Sequence, residues 1–313
     1  MSRREVVALG TASQVPTRRR SHQSLLLLLD DIGVLVDPGE GTQRQLTFAG
    51  VPVSRIDAIC ITHLHGDHCL GLPGVVQRLS LDQVAHPVDL FVPEEGIEYV
   101  ERLLHASVFE ARAEVRVRPV PAGTAGEVGE VGGWTVVSHP LDHRIPCRGW
   151  RFEEPRVRHF DADALEAAGV RGAMVRTLAE TGRVEVDGRT VGLDDVSASR
   201  PGQAVAVVMD TRSCDGAERL AADADLGVIE STFLSGEGED ELADIAGHLT
   251  ARQAAELAAR AGVRRLVLTH FSQRHRDVER YLDEARAVVD DVVAVSDLDR
   301  VEVPKPLRAD RPR

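Results

Sequence analysis

Length, composition and charge limit what this chain can be. It has 313 residues, 43% of them hydrophobic, which is enough apolar material for a substantial core and excludes a chain that is disordered throughout. The net charge of −13 argues against non-specific binding of nucleic acid through the overall field. It does not exclude a local basic surface, since Lys305 is the only lysine and arginine suits bidentate contacts with phosphate.

The apolar runs and the cysteines favour a cytoplasmic protein. The run Leu25–Leu29 is followed at once by Asp30 and Asp31 and is too short to span a membrane, and the first residues enter a predicted strand instead of the apolar stretch of a signal peptide. Four cysteines are scattered without a Cys-x-x-Cys pair, as in a reducing compartment. We therefore expect a cytoplasmic protein without membrane contact.

Short apolar runs alternate with helical segments along the chain, which predicts α/β layering. The predicted strands are, in order, Glu5–Leu9, Leu25–Leu29, Val34–Asp37, Ile56–Thr62, Val88–Val92, Val115–Val120, Trp134–Pro140 after a glycine-rich turn, Ala204–Asp210, Leu226–Glu230 and a strand that ends at His270. The predicted helices are 39–46, Val75–Leu81, Gly96–Leu104 and Thr250–Ala261.

One segment breaks this alternation. Residues 151–202 are charged, glycine-rich and irregular, with a short helix predicted at Asp163–Ala168 and a hairpin at Asp187–Gly188. We interpret this segment as an insertion that projects from a core domain of residues 1–303. The last residues, 304–313, are rich in proline and arginine and are predicted to be a disordered tail.

The densest group of metal-ligand residue types follows the predicted strand Ile56–Thr62. His63, His65, Asp67 and His68 fall within six residues, and although any one of them alone could be structural, the whole cluster predicts a metal site. Two histidines at i and i+2 can direct their side chains to the same point. Asp67 and His68 follow at the predicted start of a helix, which turns their side chains towards a neighbouring point. This spacing favours two metal ions close together.

Further residues of ligand type stand at the ends of other predicted strands. Asp210, Glu230 and His270 each end an apolar run, so separate strands could bring them to the sheet edge where the histidine motif lies. The alternative for each is a structural role such as capping the next helix, and this alternative is strongest for Glu230. Ahead of the insertion, His143 is the outstanding candidate and His139 competes with it.

These motifs together carry a family resemblance. His-x-His-x-Asp-His after an apolar strand resembles the signature of the metallo-β-lactamase superfamily, which implies an α/β fold of the αββα sandwich type with the site at the strand ends. Over nearly the whole chain, further segments are similar to those of the ribonuclease Z family, endonucleases that trim the 3′ trailer from precursor tRNA. These segments are LGTASQVPTRRRSHQS, VDPGEGTQRQL, THLHGDHCLGLPG, LDHRIPCRGWRF, MDTR and LVLTHFSQR.

The resemblance implies a ligand set and a proton-transfer pair. Seven side chains would bind two zinc ions per chain: His63, His65 and His143 for one ion, Asp67, His68 and His270 for the other, and Asp210 bridging both. This set favours His143 over His139. Asp67 would also accept the proton of the attacking water, and His248 with Glu230 would assist proton transfer to the leaving group.

The resemblance also implies how the substrate is bound. Arg18 and Arg20 lie in the loop PTRRRS, which would stand beside the acceptor end of the tRNA, and Arg274 follows the last histidine strand. The insertion corresponds to the family's flexible arm, which grips the tRNA elbow. The family further implies a homodimer.

The chain departs from the family pattern at several positions outside the metal ligands. Arg18 stands where the family has lysine, and Ser21 where it has asparagine. In the insertion, GVRGAMVRTL has Ala173 and Arg176 where the family's Gly-Pro-x-x-Gly has proline and the second glycine. These changes concern substrate handling, while every implied ligand position is kept.

We therefore expect a zinc-dependent endoribonuclease whose partner is precursor tRNA. Two other functions stay open at this point. One is a metallohydrolase of the same fold that acts on a small sulfate, phosphodiester or thioester, which the acidic charge and the altered arm favour. The other is a non-catalytic RNA-binding or scaffold protein with a relic site, and the complete ligand set counts against it.

Overall fold

The computed structural model describes residues 4–236 and 238–306. The chain divides into two compact units, the first formed by the residues up to Glu153 together with Ala204–Pro304, and the second by Glu154–Gln203 with Lys305 and Pro306. Most of the predicted tail, residues 307–313, lies outside the described residues.

The strands of the described chain carry most of the predicted apolar runs. They are β1 (Glu5–Gly10), β2 (Ser24–Leu29), β3 (Ile32–Val36), β4 (Ala58–Cys60), β5 (Val88–Pro93), β6 (Val115–Val120), β7 (Gly126–Val131), β8 (Trp134–Leu141), β9 (Cys147–Glu153), β10 (Val157–Phe160), β11 (Arg183–Val186), β12 (Arg189–Gly192), β13 (Ser197–Arg200), β14 (Ala204–Val208), β15 (Leu226–Glu230), β16 (Leu266–Thr269), β17 (Val292–Ala294) and β18 (Arg300–Glu302).

Helices connect and cover these strands. They are α1 (Thr42–Phe48), α2 (Gly66–Cys69), α3 (Leu72–Leu81), α4 (Ile97–Leu104), α5 (Ala162–Ala167), α6 (Ala173–Thr181), α7 (Asp215–Ala221), α8 (Glu239–Ala246), α9 (Ala251–Ala261) and α10 (Glu279–Arg286). The side chain of Thr250 accepts a hydrogen bond from Gln253 N and so caps α9, which explains why the predicted helix begins there.

Two seven-stranded mixed sheets form the first unit. The strand order is β18-β1-β2-β3-β4-β5-β6 in one sheet and β17-β16-β15-β14-β9-β8-β7 in the other. Strands β3 to β6 run parallel, as do β14 to β17, while the remaining neighbours pair antiparallel. The parallel halves place the carboxyl ends of several strands at one edge of each sheet.

The alternation of side chains along each strand separates three apolar cores. In β1, Val6 and Ala8 pack into a core with residues of the second sheet, while Val7 and Leu9 pack into a core with α1, α3 and α4. A third core lies between the second sheet and α7, α9 and α10. Helices therefore cover the outer face of each sheet, and the expected αββα sandwich is confirmed.

The region expected to be a single glycine-rich turn contains a further strand. The chain turns at Gly132 and Gly133, whose φ angles are 54° and 84°, so that β7 pairs with β8 as a hairpin. Strands β6 and β8 consequently lie in different sheets and are not joined by one turn. Helices α7, α8 and α10 were also not predicted; in α8, four of the eight residues are acidic and only Ala243 is buried.

The second unit is more regular than its sequence indicated. Strands β10 and β13 pair antiparallel, and β11 and β12 form a hairpin around Asp187 and Gly188, the predicted turn. Helices α5 and α6 pack with these strands on a small core of Val170, Leu178 and Val184. The unit begins after Glu153, since residues 151–153 belong to β9 of the sandwich.

The second unit is inserted at a hairpin position of the second sheet. Strands β9 and β14 are antiparallel neighbours, with Glu153 paired to Ala204. Beyond them, Glu154 N donates to Gln203 O at 2.8 Å, which closes the base of the insertion. The insertion therefore leaves and re-enters the sheet at adjacent points.

Candidate metal centre

Residues of ligand type gather where parallel strands end. His63 follows β4, Asp210 follows β14 and His270 follows β16 directly. Asp210 and His270 have positive φ angles of 44° and 62°, a backbone conformation that is uncommon for residues other than glycine. Such strained positions persist when the surroundings hold them, and they concentrate at functional sites.

One group of four side chains points at a common position. His63, His65, His143 and Asp210 offer nitrogen and oxygen atoms that all lie within 4.8 Å of one another. His63 Nε2 lies 2.9 Å and His143 Nε2 3.3 Å from His65 Nδ1, and His63 Nε2 lies 3.4 Å from Asp210 Oδ2. Three imidazoles and a carboxylate converging in this way are a donor set that zinc accepts.

A second group lies beside the first. Asp67, His68 and His270 also have their ligand atoms within 4.8 Å of one another, with 3.2 Å between the Nε2 atoms of the two histidines. Asp210 faces both groups, since its Oδ1 lies 3.4 Å from His270 Nε2 and its Oδ2 lies 3.5 Å from His68 Nε2. His139, the competitor of His143, belongs to neither group.

An unsatisfied oxygen supports a cation at this position. Asp210 is buried, and its Oδ1 has no hydrogen-bond donor among the described residues. A buried carboxylate oxygen without a donor is costly unless a cation compensates it. The residues present therefore fit one or more metal ions shared by the two groups.

The outward ring nitrogens are held by a second layer of hydrogen bonds. His143 Nδ1 donates to Gly247 O at 2.8 Å, and His270 Nδ1 lies 2.9 Å from Thr232 Oγ1. These bonds leave the Nε2 atoms of both histidines directed at the centre, an arrangement typical of metal-ligating histidine. The same pattern holds for His63 Nδ1, 3.0 Å from Thr62 Oγ1.

Asp37 belongs to this second layer and was not selected from the sequence. It accepts hydrogen bonds from Thr62 N at 2.7 Å and Thr62 Oγ1 at 2.8 Å, and its Oδ2 lies 2.9 Å from His68 Nδ1. It is buried and has a positive φ of 52°. Asp37 stands at the end of a predicted apolar strand, and this position could have identified it as a site residue, as it identified Asp210.

Burial and neighbouring charges set the protonation of the ligands. Burial lowers the pKa of His143 to about 4 and holds that of His63 well below its ordinary range. Burial opposes ionisation of Asp210, but the surrounding histidines outweigh it and keep the pKa of that carboxyl low. Neutral imidazoles and an ionised carboxylate are the forms that bind metal.

Among the candidate ligands, His68 differs from His63 and His143 in the direction of its pKa shift. Burial lowers its pKa, but the carboxylates of Asp210, Asp67 and Asp37 outweigh burial and raise the pKa well above its ordinary range. The three carboxylates that favour a proton there would equally favour a dication.

Glu230 and His248 form a buried pair beside the ligands. Glu230 Oε1 lies 2.8 Å from His248 Nδ1, and His248 Nε2 lies 3.9 Å from Asp210 Oδ2. Burial lowers the pKa of His248, but the Glu230 and Asp210 carboxylates raise it to about 9. The ligand atoms of Asp210, His248 and His270 also lie within 4.8 Å of one another. Geometry alone therefore allows His248 to be either a metal ligand or a proton donor.

The three arginines expected to bind substrate lie in different environments. Arg274 lines a cavity of about 620 Å³ at the metal centre, and Arg18 is exposed. Arg20 is buried and donates to the carbonyl oxygens of Ser272 and His275 at 3.3 and 3.0 Å. Arg20 thus holds the segment that carries Arg274.

The cavity also contains residues that sequence reasoning did not select. Arg144, next to His143 in the chain, is exposed and lines the cavity. Gln14 lines it too, and its backbone N donates to Asp67 Oδ2 at 2.7 Å. Both lie in segments that carry the family resemblance, but neither was selected, because their positions depend on loops folding back to the strand ends.

The fold and the site define a protein of the metallo-β-lactamase class. The family described as Metallo-beta-lactamase superfamily matches residues 17–169. Ribonuclease Z of Nocardia farcinica is 50% identical over 305 residues, covering 97% of this chain and 99% of the relative, and ribonuclease Z of Chlamydia trachomatis serovar L2 is 40% identical with the same coverage. The chain belongs to the ribonuclease Z family.

Solved structures show the same fold. Human tRNase Z, short form, superposes with a TM-score of 0.69 at 24% identity, covering 96% of this chain and 100% of the human chain. The metallo-beta-lactamase fold protein YhfI of Bacillus subtilis superposes with a TM-score of 0.68 at 18% identity and equal coverage.

Proposed function

We propose that the protein is a zinc-dependent endoribonuclease that removes the 3′ trailer from precursor tRNA by phosphodiester hydrolysis and leaves a 3′ hydroxyl on the tRNA. The observation that carries this proposal is Asp210, whose two oxygens face two adjacent groups of ligand type in a chain of the ribonuclease Z family. A shared carboxylate between two cation positions suits an in-line attack on phosphorus.

The ligands are proposed as the sequence analysis named them. One zinc would be held by His63, His65 and His143, a second by Asp67, His68 and His270, with Asp210 common to both. Bound zinc would supply Lewis acidity that activates water and neutralises the phosphate charge. The buried second layer around Asp37 and Thr232 fixes the direction of the histidine rings, so little reorganisation accompanies the reaction.

Proton transfer is assigned to side chains beside the ligands. Asp67, with Oδ2 already accepting from Gln14 N, would take the proton of the attacking water. His248 would donate to the departing 3′ oxygen, because Glu230 holds its Nδ1 and leaves Nε2 directed towards the cavity that His248 lines. The carboxylates that raise its pKa keep the donor protonated near neutral pH.

Substrate binding is proposed for exposed arginines. Arg144 and Arg274 both line the cavity at the metal centre, where guanidinium groups suit the phosphates on either side of the scissile bond. Arg18 is proposed to contact the acceptor end from its exposed loop. Arg20 would contribute indirectly, by holding the segment of Arg274.

The inserted unit, Glu154–Gln203, is proposed to bind tRNA away from the chemistry. Six of its described arginines are exposed: Arg156, Arg158, Arg171, Arg176, Arg183 and Arg189. Two of these form ion pairs, Arg158 with Asp194 and Arg176 with Glu180. Exposed arginines in an inserted unit of an acidic chain are candidates for phosphate contacts there.

Assembly and location complete the proposal. We propose a homodimer in the cytoplasm, on the strength of the family resemblance. Within the described part of the chain, no helix is long and apolar enough to cross a membrane.

A cleavage assay tests the function. The purified protein with zinc is incubated with a precursor tRNA that carries a defined trailer, and the products are separated on a gel. We expect a mature-length tRNA with a 3′ hydroxyl and a trailer with a 5′ phosphate. Hydrolysis of a small phosphodiester without cleavage of any precursor tRNA would instead identify a small-substrate metallohydrolase.

A further inference from the structure

A second cavity adjoins the metal centre. It has a volume of about 350 Å³ and lies in the first unit, lined mainly by apolar and aromatic groups: Leu64, His65, Pro93, Tyr99, Ile145 and Pro146. This volume falls within the usual range for small-molecule subsites, which are mostly apolar with few polar groups. No step of the proposed mechanism uses this cavity.

The second cavity shares His65 and one loop with the cavity at the metal centre. The His65 side chain lines both cavities, and its Nδ1 faces His63 Nε2 at 2.9 Å. In the loop after His143, Arg144 lines the metal cavity while the next two residues, Ile145 and Pro146, line the second one. An RNA strand bound at the metal centre could therefore place neighbouring nucleotides in the two cavities, on either side of His65.

Tyr99 supplies a stacking surface in this cavity. Tyr99 lies on α4 and is 55% exposed, so part of its ring is open to a ligand. The Arg102 guanidinium lies 5.5 Å from the ring centroid and helps to hold the ring in place. A flat, largely apolar ligand with polar edges fits a site of this composition.

We propose that this cavity binds the nucleobase of the first trailer nucleotide, stacked on Tyr99. The proposal rests on the proposed function, because the ligand is the nucleotide next to the scissile phosphate. Nucleobases stack on exposed aromatic side chains whatever their sequence, and Glu95 at the rim can accept a hydrogen bond from an exocyclic amine.

The side of the scissile bond follows from the order of the histidines. The tRNA 3′ oxygen departs at His248, whose ring lies beside that of His143 with centroids 5.2 Å apart. His143 in turn lies beside His65, with 5.1 Å between centroids, and His65 walls the second cavity. The second cavity is thus lined by His65 and not by His248, so we assign it to the trailer and not to the leaving tRNA end.

The test combines a protein variant with a modified RNA. Precursor tRNAs are prepared with a normal or an abasic first trailer nucleotide and are cleaved by the zinc-loaded wild type and by Tyr99→Ala. Loss of one stacked base typically lowers binding about tenfold or more. We expect kcat/KM of the wild type to fall about tenfold on the abasic RNA, Tyr99→Ala to show the same loss on normal RNA, and the two changes together to add no further loss.

Matched controls separate stacking from damage to the fold. Tyr99→Phe keeps the ring and should cleave like the wild type. Phe48→Ala removes an aromatic residue of equal exposure, 56%, that also has an arginine over its ring but lies outside both cavities, and it should change neither kinetics nor zinc content.

Each contrary result has a distinct meaning. Equal cleavage of normal and abasic RNA by the wild type would overturn the subsite while leaving the proposed function intact. If Tyr99→Ala instead added no further loss on a precursor whose last tRNA nucleotide is abasic, the cavity would bind that nucleotide, and the assignment to the trailer would be overturned. Failure of the wild type to cut any precursor tRNA would reject the proposed function and this inference together.

Discussion

Asp210 has the greatest influence of any single residue on the candidate metal centre. It is buried, strained in its backbone, and directed by its two oxygens at two groups of ligands. The surrounding histidines keep its pKa low, so it is ionised in the folded protein. Removing it would leave two dications to repel each other at short range without a carboxylate between them.

Asp210→Ala should lose much of the metal and nearly all activity. Zinc is measured in the purified protein, with precursor tRNA cleavage in parallel. Asp225→Asn is the control, because Asp225 is another buried carboxylate at the start of a strand in the same sheet, where it pairs with Arg264 and contacts no candidate ligand. Two full equivalents of zinc with wild-type turnover in Asp210→Ala would remove this residue from the site.

His248→Ala should retain zinc and lose turnover, because its proposed role is proton donation. General acid–base residues typically contribute about 10²- to 10⁴-fold to the rate. His270→Ala is the comparison, since both histidines lie near Asp210. If His248→Ala loses zinc while His270→Ala keeps it, the two roles are exchanged.

At the scale of elements, the loops between strands and helices place the substrate residues. Arg20 shows how: its buried guanidinium donates to backbone carbonyls of the segment Ser272–Arg276, which directly follows β16 and His270. It also lies over the Phe271 ring at 5.2 Å. A loop near the start of the chain and a loop near its end are thus held together beside the metal centre.

Arg20→Ala should destabilise the protein and impair cleavage. Hydrogen bonds to charged groups contribute about 1.5–3 kcal/mol, so we expect the free energy of unfolding to fall by about 2–4 kcal/mol, with kcat/KM on precursor tRNA reduced at temperatures where the fold persists. Denaturant unfolding and cleavage kinetics measure both. Arg19→Ala, at an exposed neighbour, should change stability little. Equal unfolding curves for Arg20→Ala and the wild type would contradict this role.

At the scale of the whole molecule, the chain combines a four-layer sandwich with a small inserted unit. All the candidate ligands belong to the sandwich, and the insertion has its own small apolar core. Because Glu154 and Gln203 are hydrogen-bonded at its base, the insertion can be replaced without stretching β9 or β14.

Replacing residues 155–202 by a two-residue turn should separate tRNA binding from chemistry. We expect unchanged zinc content and unchanged hydrolysis of a small phosphodiester, while precursor tRNA binds more weakly and the dependence of its affinity on salt becomes shallower. The matched variant is the intact chain with four substitutions, Arg156→Ser, Arg171→Ser, Arg183→Ser and Arg189→Ser. It should reproduce part of the loss of tRNA binding. Undiminished tRNA cleavage by the shortened chain would exclude the arm, and loss of the small-substrate activity would place the segment in the catalytic unit.

The sequence by itself determined the alternation of strands and helices and the residue types of the metal centre. Short continuous apolar runs followed by His or Asp are local patterns, and the dense motif His63 to His68 needs only a strand and a turn to form. Only the tertiary structure decided what depends on distant segments meeting: the position of His143 beside His65, Asp37 behind His68, and the burial of Arg20. These features are set by packing between parts of the chain far apart in sequence, which no local pattern encodes.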